Sequence, residues 1–399
     1  MLSHSSRLKR YAERTLRPFS IFLFSLHIAA CLTGCRAEQP WPLWQAYTQR
    51  FVDDQGRVID RSAADRTTSE GQAYAMFFAL VDNDRRHFEQ LLTWTEANLA
   101  AGDLSRHLPA WKWGRTASGD WKSVDGNSAS DADLWLAYTL LEAGRLWREP
   151  RYETLGRSLA DRIAREEVVL VPGLGTVLAP GPNGFHPDPQ TWIVNPSYMP
   201  LPLLTRLAQE QPLGPWSAIL ESLPRLFDPQ VGHGFAADWL SAGPNGVAPI
   251  APPEEPTAGV RAPRVAGSYD AIRVYLWLGV SDPATPGRQA LLTQLSGMRT
   301  LMRVPGALPP VEVNPLTGVA RGEGSIGFSA AMIPYLAASG LRSQQRTQQN
   351  RMAAARDSST GLYGVNPEYY DQNLVLFSTA WLDGRYRFER SGMLVVKWK

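Results

Sequence analysis

The chain has 399 residues, 44% of them hydrophobic and 20% charged. That is apolar material enough for a large buried core, which excludes disorder as the default. Net charge is +2, and once the five basic and one acidic residue of the first twenty are set aside, 35 basic face 37 acidic residues, a balance that excludes a nucleic-acid partner.

At the N-terminus, Arg7, Lys9, Arg10, Arg14 and Arg17 precede FSIFLFSLHIAACLTG, an apolar stretch too short for a comfortable membrane span and of the right length for a secretory signal. Residues 1–37 are therefore expected to form a leader, and 38–399 a single domain that is periplasmic or secreted. LTGC, Leu32 to Cys35, resembles a lipoprotein box that would attach lipid at Cys35; IAAC and plain cleavage after Ala37 are its rivals. Such a lipid would be the only membrane contact. Both cysteines, Cys31 and Cys35, fall in the leader, so the body carries no disulfide and no thiolate metal site.

Helical periodicity dominates the chain beyond the leader. Apolar spacing with start and stop signals predicts helices near 42–53, 68–82, 84–101, 130–148, 150–166, 196–209, 213–227, 268–280, 284–303, 326–339, 341–356 and 368–382. Most form pairs. AMFFALVDN, apolar all round, precedes the amphipathic RRHFEQLLTWTEANLA, and DLWLAYTLLEAGRLW precedes RYETLGRSLADRIAREE. The first kind of helix must be buried and the second can face solvent on one side. Five such pairs, closed by the first helix packing on the last, make an all-α fold, an (α/α)6 barrel; an up-down bundle is the alternative. Short strands are expected around 168–177 and in the tail RFERSGMLVVKWK, and the Pro/Gly-rich stretch 241–264 is expected to be a flexible surface loop.

Three inner helices begin with acid: Glu70 in TTSEGQAYAM, Asp131 and Asp133 in ASDADLW, and Asp270 in SYDAIRVYLW. Alone, each could simply complement a helix dipole, with Ser69, Ser130 or Asp131, and Ser268 as caps. In a two-ring barrel, however, all inner helices start at one end, so these carboxylates converge. Gly71, beside Glu70, is expected to leave room for a sugar ring. Fourteen Trp accompany the acids, several of them outside helices: Trp111, Trp113 and Trp121 in LPAWKWGRTASGDW, Trp192 ahead of Tyr198 in TWIVNPSYMP, and Trp239 in FAADWL. Flat rings with a polar tip suit pyranose faces, although they could equally plug the barrel end.

Paired carboxylates with aromatic platforms point to glycoside hydrolysis. Other chemistries have little to stand on. GEGSIG, 322–327, matches a dinucleotide fingerprint but lacks a β-α-β setting, the six histidines show no metal-ligand spacing, and there is no G-x-S-x-G elbow. No cofactor and no metal are expected. A non-catalytic glucan-binding accessory and a barrel polysaccharide lyase are the rival functions. A lyase would want a basic groove that this balance of charge does not promise.

The stretches TTSEGQAYAM, NSASDADLWLAYTLLEAGRLW and SYDAIRVYLWLG, with LPAWKWG, RIAREEVVLVPGLG, NPSYMP and GFSAAMIPYL, closely resemble the family 8 glycoside hydrolases over residues 41–388. The resemblance implies an (α/α)6 barrel, inversion at the anomeric carbon and no metal. It makes Glu70 the general acid, Asp131 the signature acidic residue and Asp270 the general base. Leu136 and Thr139 depart conservatively from the family signature. Substrate contacts are expected from Trp111, Trp113, Trp192, Tyr198, Tyr269 and Arg273, with Arg273 also holding Asp270 ionised. Within the family the likeness is to members encoded with bacterial cellulose synthases. That implies β-1,4-glucan chains as substrate and an association with the synthase complex, the chain itself being a monomer. Chitosan, mixed-linkage glucan and xylan are the alternative substrates.

Overall fold

The computed structural model describes residues 41–253 and 264–399. The leader expected over 1–37, with Cys35, and residues 254–263 of the expected flexible loop lie outside the described residues.

Fourteen helices are formed among the described residues: α1 (Pro42–Phe51), α2 (Ser69–Val81), α3 (Arg85–Leu99), α4 (Ser130–Trp147), α5 (Pro150–Glu166), α6 (Leu201–Glu210), α7 (Trp216–Leu226), α8 (Pro229–Gly232), α9 (Ala271–Val280), α10 (Arg288–Gln294), α11 (Ser296–Leu301), α12 (Ile326–Ala338), α13 (Arg342–Ala355) and α14 (Tyr369–Leu382). In α2 every residue from Gly71 to Val81 is buried, and α9 is buried throughout, as their unbroken apolar sequences require. By contrast α5 buries only a stripe, Tyr152, Gly156, Leu159, Ala160 and Ile163.

Helices α2, α4, α6, α9, α12 and α14 touch one another in that order, and α14 returns to α2, so the inner ring closes. Outside it, α3, α5, α7, α10 and α13 each pack on the inner helix before them, and α1 packs on α14. This is the expected (α/α)6 barrel. Because each outer helix carries the chain back to one end, all six inner helices start there.

Two expected helices are broken. In place of 196–209 a 3-10 turn, Pro196–Tyr198, precedes α6, since Pro200 and Pro202 bring no N–H to continue a ladder. The helix expected over 284–303 bends at Leu295 between α10 and α11, where Gly297 N donates to Gly234 O at 2.9 Å.

The connections from outer to inner helices carry short antiparallel strands. β1 (Thr67–Thr68), β2 (Lys112–Arg115) and β3 (Trp121–Asp125) form one sheet; β4 (Val168–Val171) and β5 (Gly175–Leu178) form a hairpin. β6 (Trp192–Val194), β7 (Trp239–Gly243) and β8 (Gly246–Ile250) form a second sheet of three, and β9 (Glu312–Val313) pairs with β10 (Ala320–Arg321). The expected loop at 241–264 is thus ordered over its first part, with Trp239 opposite Ile250 and Gly243 opposite Gly246.

At the other end, β11 (Tyr386–Phe388) and β12 (Leu394–Val396) make the hairpin expected in the tail. It seals the barrel floor through Tyr138 Oη to Gly392 O (2.9 Å) and Leu394 N to Glu142 Oε2 (2.9 Å). Glu142 is fully buried, and its charge is balanced by Arg206 at 2.7 Å and by Arg145. The floor is therefore tied shut while the end bearing the inner N-termini stays open.

Candidate active site

Three inner helices deliver their acids to the open end, and Arg273 joins two of them. Its Nη1 donates to Asp131 Oδ2 at 2.7 Å and to Tyr74 Oη at 3.0 Å, while Nη2 donates to Asp270 Oδ1 at 2.6 Å. The arginine and Asp270 belong to the same turn, one residue of α9 and the residue that caps it. Asp131 comes from the first turn of α4, so a single guanidinium fixes the spacing between two inner helices.

The three acids differ in exposure, and the difference sorts their chemistry. The Asp131 side chain is 1% exposed and also accepts from Ala132 N at 2.8 Å. Asp270 is 27% exposed. Glu70 lies partly open in the first turn of α2; its Oε1 accepts from Trp111 Nε1 at 3.2 Å, and its Oε2 has no hydrogen-bond partner. Burial first, and then the neighbouring Asp131 charge, push the Glu70 carboxyl up to about 7. Asp131 is raised by burial, against the pull of Arg273.

A cleft of about 270 Å³ adjoins these groups, lined by Trp111, Ser128, Phe185, Tyr198 and Trp239 among others. Asp125 is the only charged residue among its described lining residues. The Tyr198 ring lies 5.5 Å from the Arg273 guanidinium, and burial followed by the charges of Asp131, Asp270 and Glu70 raises its hydroxyl well above the ordinary phenol range. It therefore stays a neutral hydrogen-bonding group amid the acids. Tyr269, 50% exposed beside Asp270, packs edge-on against Phe328 and Tyr370 and offers a free face at the lip.

Five expectations change. Trp113 is stacked on Trp121 with centroids 5.0 Å apart and carries the Arg57 guanidinium 4.3 Å from its centroid, so protein groups occupy it and it does not line the cleft. Trp192 lies in β6 stacked on His186 at 4.3 Å, again away from the cleft lining. Arg273 is 6% exposed and engaged by two carboxylates and a tyrosine, so in this structure its guanidinium holds the acids in place. The space beside Gly71 belongs to Tyr369: a Cβ there would lie 2.0 Å from its hydroxyl, which glycine alone permits. The cap of α2 is likewise Thr68, whose side chain accepts from Gly71 N, and not Ser69.

Further groups take roles that sequence reading did not assign them. GEGSIG proves to be a close helix-to-helix contact: a Cβ on Gly327 would meet Asp371 Oδ1 at 2.4 Å, and that carboxylate accepts from Ser325 Oγ, tying α14 to the start of α12. Behind Asp131, Asp133 faces Glu167, both fully buried, with Ser128 Oγ donating to Glu167 Oε1. Burial and then the partner's charge push Asp133 well up, and burial pushes Glu167 up to about 8, so the two carboxyls hold at least one proton between them.

These raised carboxyls tie stability to pH. Glutamates whose folded pKa exceeds the unfolded value stabilise the fold below about pH 4.5, and that contribution is lost as pH rises through about 7 for Glu70 and about 8 for Glu167. Thermal midpoints measured across pH should therefore be higher near pH 5 than near pH 8, and Glu167→Gln should flatten the fall. A midpoint that climbs from pH 5 to 8 contradicts the assignment.

A closed double ring of helices that gathers three carboxyl groups beside an aromatic cleft is the build of a polysaccharide-cleaving enzyme. The chain belongs to the glycosyl hydrolases family 8, whose family model matches residues 21–384. It is 41% identical to an endoglucanase of Xanthomonas axonopodis pv. citri (strain 306) over 372 residues, 93% of each chain. To an endoglucanase of Escherichia coli (strain K12) it is 42% identical over 365 residues, 90% of this chain and 91% of that one. Among solved structures it is similar to an endo-1,4-D-glucanase from Vibrio fischeri ES114, with a TM-score of 0.75 and 37% identity, covering 90% of this chain and 99% of that one.

Proposed function

We propose that the protein is an endo-acting, inverting glycoside hydrolase that cleaves β-1,4-glucosidic bonds of a neutral glucan. The observation that carries this reading is the division among the acids. Glu70 is held protonated near neutral pH with an unpartnered oxygen, while Asp270 stands open and charge-balanced by Arg273.

In the reaction, water attacks the anomeric carbon as Asp270 takes its proton, and the glycosidic C–O bond breaks as Glu70 protonates the departing oxygen. Asp131, sealed between Arg273 and the backbone, keeps Glu70 protonated by its charge. Among the described lining residues of the cleft no basic group appears, which supports a neutral polymer over a uronate and so disfavours the lyase alternative. The relatives named endoglucanase support cleavage within chains. A link to cellulose synthesis is part of the proposal, since unbranched glucan is a polymer such a cleft would accept.

Carboxymethyl cellulose tests the reading. Viscosity should fall well before many reducing ends appear, and cleavage should be faster than on xylan or chitosan. Release of one short product from chain ends, or no cleavage at all, defeats it.

A further inference from the structure

Asp270 occupies the N-cap position of α9, where an aspartate ordinarily turns its carboxylate back onto the helix's own first amides. Here it does not. Ala271 N donates to Asp238 Oδ1 at 2.8 Å, Ile272 N to Ser268 O at 3.0 Å and Arg273 N to Asp270 O at 3.0 Å. The first amides of α9 are thus satisfied without the Asp270 side chain, which is left to Arg273 and the cleft.

Asp238 comes from the residue just before β7, over thirty positions away in sequence, and is 9% exposed. The same Oδ1 also accepts from Ser268 N at 2.7 Å, so one carboxylate grips the chain on both sides of Asp270. Its own amide donates to Ala266 O at 2.8 Å. Ser268 Oγ donates to Val311 O at 2.7 Å, and Gly267 exchanges hydrogen bonds with Val313, so the strap is anchored on two sides.

We propose that Asp238 is the positioning residue for the base: by taking the Ser268 and Ala271 amides on either side of Asp270, it leaves the Asp270 carboxylate to face the cleft. The inference rests on the reading of Asp270 as base. Without Asp238 the Ala271 amide loses its acceptor, and the Asp270 carboxylate can fold back onto it, as Asp131 does onto Ala132 N, and so leave the position where water is activated. Amide donors stabilise a carboxylate's charged form, so residual activity would titrate at lower pH. The other titratable and charged groups facing Asp270, namely Asp131, Arg273, Tyr198 and Tyr370, are left in place.

The test compares variants on carboxymethyl cellulose, normalised to folded protein. Asp238→Ala should lower kcat by about 10²-fold with KM within about 3-fold, and should move the acid limb of the rate profile to lower pH. Asp238→Asn keeps an acceptor oxygen and should stay within about 10-fold of wild type, with the limb in place. Should Asp238→Ala not fold, Asp238→Glu decides, since it keeps the carboxyl group but displaces the oxygen by a methylene; about 10-fold loss in kcat is expected. Asp371→Ala removes the carboxylate that ties α14 to Ser325 at the start of α12, which bears no catalytic acid, and should lower stability with kcat within about 3-fold. Wild-type kcat in Asp238→Ala or Asp238→Glu, or an equal kcat loss in Asp371→Ala, overturns the proposal. If the wild-type protein cleaves no β-glucan, it is the proposed function that fails, and the two failures are distinguishable.

Discussion

Glu70→Gln should lower kcat on β-glucan by at least about 10²-fold while oligosaccharide binding largely survives. The amide fills the same volume and can still accept from Trp111, but it has no proton to transfer. A carboxyl in the first turn of a helix would ordinarily be ionised, because the helix terminus favours negative charge by roughly 0.3–1 kcal/mol. Moving Glu70 from 4.5 to about 7 requires on the order of 3 kcal/mol in the other direction, so burial and the Asp131 charge outweigh the helix dipole. Wild-type kcat/KM should accordingly fall on the alkaline side as pH rises through about 7, the value of the free enzyme's acid. Near-normal turnover in Glu70→Gln, or a rate that rises steadily from pH 6 to 8, removes Glu70 from the role.

Much of this arrangement is legible in the sequence because it depends on local pattern. An unbroken apolar helix such as α2 has no polar face to give to solvent, and the alternation of such helices with amphipathic ones already specifies two rings. Acid at the start of three inner helices is then carried by the chain to one end. The features that sequence reading misses are held across long separations. The stacking of Trp113 on Trp121 and Arg57, and of Trp192 on His186, depends on short strands of three to five residues whose register no periodicity announces. Asp238 and Asp371 hold the starts of helices to which they do not belong, one through an amide and the other through a serine hydroxyl, so neither sits at the start signal that sequence reading uses. Gly71 reads as space for ligand because the Tyr369 hydroxyl that fills it arrives from the last inner helix.

Asp270→Asn should be the second large loss, again at least about 10²-fold in kcat, and it separates the base from the neighbouring Asp131. A general base needs an exposed oxygen that can reach water. Asp131 does not offer one, since one oxygen is held by Arg273 and the other by Ala132 N, with the side chain 1% exposed. Asp270 at 27% exposure does, and Arg273 orients it. The Asp131→Asn enzyme should therefore fail differently. Loss of the charge that keeps Glu70 protonated should shift the alkaline limb to lower pH, whereas Asp270→Asn should leave that limb in place and abolish the acid limb that reports the base. With no covalent nucleophile in the scheme, Glu70 and Asp270 should hold the scissile bond and a water between carboxyl groups about 6.5–9.5 Å apart, and the first product should be the α-anomer. Proton NMR of fresh digests reads this directly. Initial β-anomer means that one of these carboxylates is a nucleophile, and an acid limb surviving in Asp270→Asn would move the base to Asp131.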